Sequence, residues 1–246
     1  MSGRMVLTSS LLILYEMPAS NPKKYKRLMK RISLPYKTNK KQWVEAKTLG
    51  LNVVDYQRVL SQLANLSDKD DDLERLASKT ILKIILTEES NPSLPYVNFK
   101  TGMIKNELII NLLATDDRTN LIGYLQMLCS TANTVTICDN YFANNWDNTQ
   151  RLFTMILPRH KLKIKYVETP ENIIGEKNSS KITQTFVSGI YNDWTVEQCE
   201  LYKGSHDRYL KIESPEGTVE LMISSGFDHI WKNNPKEITC VCRVIE

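Results

Sequence analysis

His206 and Arg208 stand two residues apart in the stretch His206-Asp207-Arg208-Tyr209-Leu210, and the pair has the side-chain types needed to handle a phosphate. An imidazole is a nucleophile and a proton carrier near neutral pH. A guanidinium pairs bidentately with phosphate oxygens and keeps its charge at any working pH. Asp207 to Glu213 reads as a strand, and residues two apart on a strand project to one face, so both side chains are expected to share one phosphate. Downstream, the turn Ser224-Ser225-Gly226-Phe227-Asp228 offers hydroxyl and backbone donors, which makes Ser224 and Ser225 phosphate-binding candidates. Asp139 closes the apolar run Thr134 to Cys138. At the carboxyl end of a strand, where layered α/β folds place ligands, it is the acid expected to support His206 and Arg208, with capping of its own turn as the alternative. Asp228, Tyr141 and Glu213 are supporting candidates, although seven positions along a strand from His206 would turn Glu213 to the opposite face.

The chain has three histidines, His160, His206 and His229, so a two-histidine mechanism has few partners to choose from. His160 has no motif around it and is expected to be at the surface or structural, and His229, which follows Asp228 in the turn, is expected to pack beside Trp231, with approach to the site as the alternative. The five cysteines are odd in number and form no C-x-x-C pair, so neither a disulfide framework nor a zinc ribbon is indicated; buried free thiols in a reducing, cytoplasmic setting are expected. No metal or cofactor is called for.

The elements that must position these residues follow from the patterning. With 41% hydrophobic and 24% charged residues over 246 positions, the chain is long enough for one large core or two modest ones. No apolar run approaches the ~20 residues of a membrane span. Residues 1–104 are expected to form a smaller α+β accessory domain. It opens with a strand from Met5 to Glu16, followed by a helix led by Pro22 and helical stretches over residues 40–65 and Leu73 to Ala77. The acidic run Asp68 to Asp72 reads as a solvated loop or helix start. Between Glu16 and Glu45 lie nine basic residues and no acidic one. Lys23, Lys24, Lys26, Arg27, Lys30 and Arg31 are the candidate nucleic-acid contacts of this segment, with Tyr25, Tyr36 and Trp43 interleaved for base stacking. An anionic membrane surface suits the same cations, as does a solvated helix face. From about residue 105 strands alternate with helices, the sign of a layered α/β unit over residues 105–246.

Residues 110–246 resemble the phospholipase D superfamily in its single-motif form. The superfamily signature is His, any residue, Lys, four residues, Asp, with a Gly/Ser turn downstream. Here His206 takes the nucleophile position, Arg208 replaces Lys, and Glu213 replaces Asp. Within the superfamily the chain is most similar to the C-terminal domain of MIT-domain-containing midbody proteins. That domain has a strand ending in Asp-Pro-Tyr, a His-Asp-Arg-Glu-Ile element and a Gly-Leu-Asp-Tyr-Phe turn. The corresponding stretches are Asp139-Asn140-Tyr141-Phe142, His206 to Leu210, and Gly226 to Trp231. The resemblance implies a mixed layered sheet flanked by helices and a metal-independent phosphodiesterase, a nuclease in first place, working through a phosphohistidine. It also implies a homodimer that supplies two copies of His206, and a setting in antiviral defence. The alternative it implies is a non-catalytic module that binds the phosphate of acidic lipids or of a partner protein.

Overall fold

The computed structural model describes residues 3–139, 145–167 and 181–245, and Tyr141 therefore lies outside the described residues. The chain divides into two compact units, Met1–Leu108 and Ile109–Glu246.

In the first unit, strands β1 (Met5–Leu7), β2 (Tyr36–Lys37), β3 (Ile85–Thr87) and β4 (Tyr96–Asn98) form a sheet of order β2-β1-β3-β4. Every pairing in it is parallel. Parallel neighbours need crossovers, and helices α1 (Ser9–Glu16), α2 (Pro22–Met29), α3 (Lys40–Thr48), α4 (Tyr56–Leu63) and α5 (Leu73–Ser78) occupy the connections that lead to β2 and β3. The unit is thus layered α/β and not the α+β domain expected. The expected strand from Met5 to Glu16 is a three-residue strand that becomes a helix after an extended Thr8. Leu11, Leu12 and Leu14 are buried along α1, and a short continuous apolar run does not by itself distinguish a buried strand from a buried helix. Helix starts are capped as their sequences suggest: Asn21 accepts from the Lys24 amide (3.1 Å), Asn39 from Gln42 (2.9 Å) and Asp72 from Arg75 (2.8 Å). The acidic run is only partly solvated, because Asp68 is buried and paired with Lys37 at 2.7 Å.

The second unit is built on strands of a mixed sheet, in the order β6-β12-β11-β10-β7-β8-β9. A short strand β5 (Met103–Ile104) of the first unit leads into β6 (Glu107–Leu112), which begins at the boundary; the others are β7 (Thr134–Cys138), β8 (Leu162–Val167), β9 (Trp194–Gln198), β10 (Arg208–Ser214), β11 (Gly217–Ile223) and β12 (Ile238–Ile245). Strands β7, β8 and β9 are mutually parallel, whereas β10 runs antiparallel to both β7 and β11. Helix α6 (Thr119–Cys129) precedes β7, α7 (Trp146–Thr149) and a π-helical turn (Leu152–Ile156) precede β8, and α8 (Gln184–Ile190) precedes β9. Residues of period two fill the core: Ile238, Cys240 and Cys242 on β12, and Leu210 and Ile212 on β10. Each fully buried aliphatic side chain contributes about 1.5–3 kcal/mol. The Lys163–Glu197 pair across β8 and β9 is nearly half exposed and screened by solvent, so apolar burial is the larger contribution to holding these strands together. No helix among the described residues is long and apolar enough to cross a membrane.

The core also determines thiol chemistry. Burial pushes the Cys240 and Cys242 thiols up to about 12, and burial followed by the neighbouring Asp139 charge pushes Cys138 up to about 11. Cys129 is buried as well, while Cys199 is half-buried. A thiol-disulfide reagent added to native protein at pH 8 should therefore modify Cys199 promptly and the other four only on unfolding. Rapid release of more than one equivalent would contradict this packing.

Candidate functional site

β10 enters the sheet beside the carboxyl end of β7, in a register that sets Tyr209 opposite Cys138. This brings Arg208 next to Asp139. Asp139 is 3% exposed, with Oδ1 3.6 Å from Arg208 Nε and Oδ2 accepting the Phe227 amide at 3.2 Å. The second contact attaches the turn after β11 to the end of β7. Phe227 and Ile230 are buried, and within the turn the amides of His229 and Trp231 donate to the carbonyls of Gly226 and Asp228, each at 3.0 Å. Gly226 has ordinary torsions, φ −58° and ψ 149°, so the requirement for glycine there is one of space. A Cβ at this position would overlap Asp228 Oδ1 and lie 3.5 Å from Asp139 Oδ2.

These segments surround an open cleft of about 470 Å³ lined by Asn145, His206, Arg208, Gly226, Asp228, His229, Lys232 and Lys236. Three cations face one carboxylate in that lining, and the carboxylate, Asp228, is 5% exposed and ion-paired with Lys232 four residues further on. The cleft is therefore cationic, with two imidazoles in its wall, and suits an oxyanion. Arg208 is oriented from two sides, by Asp139 and by the His206 carbonyl, which accepts from Nη1 at 3.2 Å. His206 is exposed, leaving its imidazole accessible from the cleft.

Several expected positions are corrected. His206 is not on a strand, since β10 begins at Arg208; a bend at His206-Asp207 nevertheless turns both side chains to the one cleft. Glu213 is not at the site. It lies five residues along β10 from Arg208, about 16 Å at the usual rise per residue, and pairs with Lys211 at 3.0 Å. Ser224 and Ser225 do not line the cleft: Ser224 Oγ accepts from the Thr239 amide (3.0 Å) and Ser225 Oγ donates to the Glu237 carbonyl (2.8 Å), both closing the connection from β11 to β12. Asp139 stands behind Arg208 as a positioning group and does not line the cleft itself. Asp228 does line it, and His160 lies elsewhere, its Nε2 2.8 Å from the Ala132 carbonyl oxygen.

His229, Lys232, Lys236 and Asn145 are cleft residues outside the set expected to form the site. His229 is 9% exposed, and its Nδ1 accepts from the Lys236 amide at 3.0 Å. Burial lowers its pKa and Asp228 opposes this, while Lys232, Lys236 and Arg208 add to the lowering. The positions of Lys232 and Lys236 were not readable, since the helical turn ends at Ile230 and both lysines lie in the irregular segment that follows. Asn145 carried no signal.

In the first unit, Arg27, Lys30 and Arg31 from the end of α2 and Phe99 and Lys100 after β4 surround a cavity of about 290 Å³. Lys24 is instead neutralised by Glu88 at 2.6 Å, and Arg31 Nη1 donates to the Met103 carbonyl at 2.5 Å. No protein-family model and no curated protein matches the chain.

The turn supplies a direct test of this geometry. Gly226→Ala should displace Asp228 and lower stability by about 1–3 kcal/mol, the usual cost of overpacking, read as a shifted denaturant midpoint. An unchanged midpoint would mean that the turn and the two carboxylates are not so closely apposed.

Proposed function

We propose that the cleft binds the phosphate of a phosphodiester, and that the protein is a metal-independent phosphodiesterase of the single-motif phospholipase D-like type, acting on nucleic acid. The observation that carries this reading is the convergence of His206, Arg208, Lys232 and Lys236 on one cleft where β10 enters the sheet. In the proposed reaction His206 attacks phosphorus, the bond to the leaving oxygen breaks, and a phosphohistidine forms that water then hydrolyses. Arg208 and the two lysines neutralise the charge that develops on the non-bridging oxygens. The leaving oxygen needs a proton. His160 lies elsewhere, and His229 has its Nδ1 engaged by the Lys236 amide. The donor is then His206 of a second copy across a twofold axis, because such an axis brings like residues together.

Nucleic acid is favoured over a lipid headgroup by the α2 segment, in which Lys23, Lys26, Arg27 and Lys30 are cationic and interleaved with Tyr25. Replacing those four by Gln should lower the slope of log affinity against log salt by about 0.7–0.9 for each phosphate no longer neutralised. A slope equal to that of the parent would remove this segment from the interface.

One observation favours a second reading, a module that binds phosphate without cutting it: Glu213, which would complete the catalytic signature, is at the wrong end of β10. Incubating parent and His206→Ala protein with single- and double-stranded DNA and RNA in EDTA separates the two readings. The enzyme reading expects cleavage by the parent and a loss on the order of 10³-fold or more in the variant, as when a nucleophile is deleted. Binding without cleavage by either protein would leave the module, and cleavage abolished by EDTA would overturn the metal-independent mechanism.

A further inference from the structure

We infer that His229 is a fixed, neutral hydrogen-bond donor of the cleft, presenting Nε2–H to a non-bridging oxygen of the bound phosphate, and is not a second acid-base histidine. The choice of phosphate as ligand rests on the reading above; the protonation pattern rests on geometry alone. An amide N–H directed at Nδ1, as from Lys236 at 3.0 Å, requires a lone pair on that nitrogen. A neutral ring then carries its proton on Nε2, the nitrogen left for the cleft that the ring lines.

Lys236 is also held through its following peptide group. The Lys236 carbonyl accepts from Arg118 Nη2 at 3.1 Å, and Arg118 is 6% exposed and also donates to the Asp116 carbonyl. Protonating His229 would set an Nδ1–H against the Lys236 N–H. It would also add a charge near Arg208, Lys232 and Lys236, where the facing carboxylate, Asp228, is already paired with Lys232. Burial of the ring acts in the same direction. The ring is thus held against protonation by the amide at Nδ1, with its pKa below the ordinary histidine value. It cannot serve as an acid, since loss of its one N–H proton would leave an imidazolate. It cannot serve as a base, since Nδ1 is engaged and Nε2 is protonated. What it can do is donate to an anionic oxygen, with Arg118 as a positioning residue acting through Lys236.

Two-bond ¹H–¹⁵N spectra of the full chain labelled at histidine, recorded from pH 5.5 to 8, should show His229 as the Nε2–H tautomer throughout. An imidazolium or an Nδ1–H tautomer at pH 6.5 would overturn the inference, and the spectra need no variant. Titration with inorganic phosphate tests the ligand. His229→Gln, which keeps a donor at a similar reach, should bind within about 3-fold of the parent, and His229→Leu about 10- to 100-fold more weakly, as for a lost hydrogen bond to a charged group. Equal binding by parent and Leu variant would overturn the donor role while the phosphate reading stands. If the parent itself binds no phosphate, the reading of the cleft fails and the ligand assignment with it, even with the tautomer as expected.

Discussion

The carboxylate of Asp139 joins three segments that are far apart in sequence. It ends β7, accepts the amide of Phe227 and faces Arg208, and at 3% exposure it has little water to replace any of these partners. A buried ionised group costs several kcal/mol unless it is paired and hydrogen-bonded. The arrangement of β7, β10 and the Gly226 turn is thereby tied to one charge. With Asp139 in place, Arg208 is aimed, the turn is anchored, and His229, Lys232 and Lys236 are carried to the same cleft as His206. Without it, the end of β7 and the turn would lose the bond that links them.

The division of labour within the cleft follows from how each imidazole is held. His206 sits in a bend ahead of the strand, is exposed, and engages Arg208 through its backbone carbonyl, which leaves the ring for chemistry. His229 is locked at Nδ1 by the amide of Lys236, a residue whose carbonyl, in the following peptide group, is tied to Arg118. On the proposed reading, one histidine reacts and the other holds. A reaction needing two proton-transferring imidazoles then requires two chains, whereas a phosphate-binding module requires only one.

Much of the second unit could be read from local pattern. Alternation over Ile238 to Ile245 and the run Thr134 to Cys138 mark β12 and β7, because a strand with one buried face writes its period into the sequence. His206 and Arg208 were readable as a pair from their residue types, although the strand starts at Arg208 and a bend, not strand alternation, turns His206 to the cleft. Less legible was anything set by long-range contact. Ser224 and Ser225 look like ligand donors in sequence and are instead occupied by β12 neighbours. His229 looked like packing and faces the cleft, because its direction depends on an amide seven residues away. In the first unit, Leu11 to Tyr15 fits a strand or a helix equally, and only the parallel crossover settles it as α1.

The central claim is that one oxyanion is held between His206 and Arg208. Crystals soaked in tungstate, a phosphate mimic located by its anomalous scattering, test it most directly. The expected result is a single strong site in the cleft within hydrogen-bonding distance of the Arg208 guanidinium and the His206 ring, with Lys232 or Lys236 closing it. Tungstate bound only elsewhere, with the cleft unoccupied at saturating concentration, would contradict it.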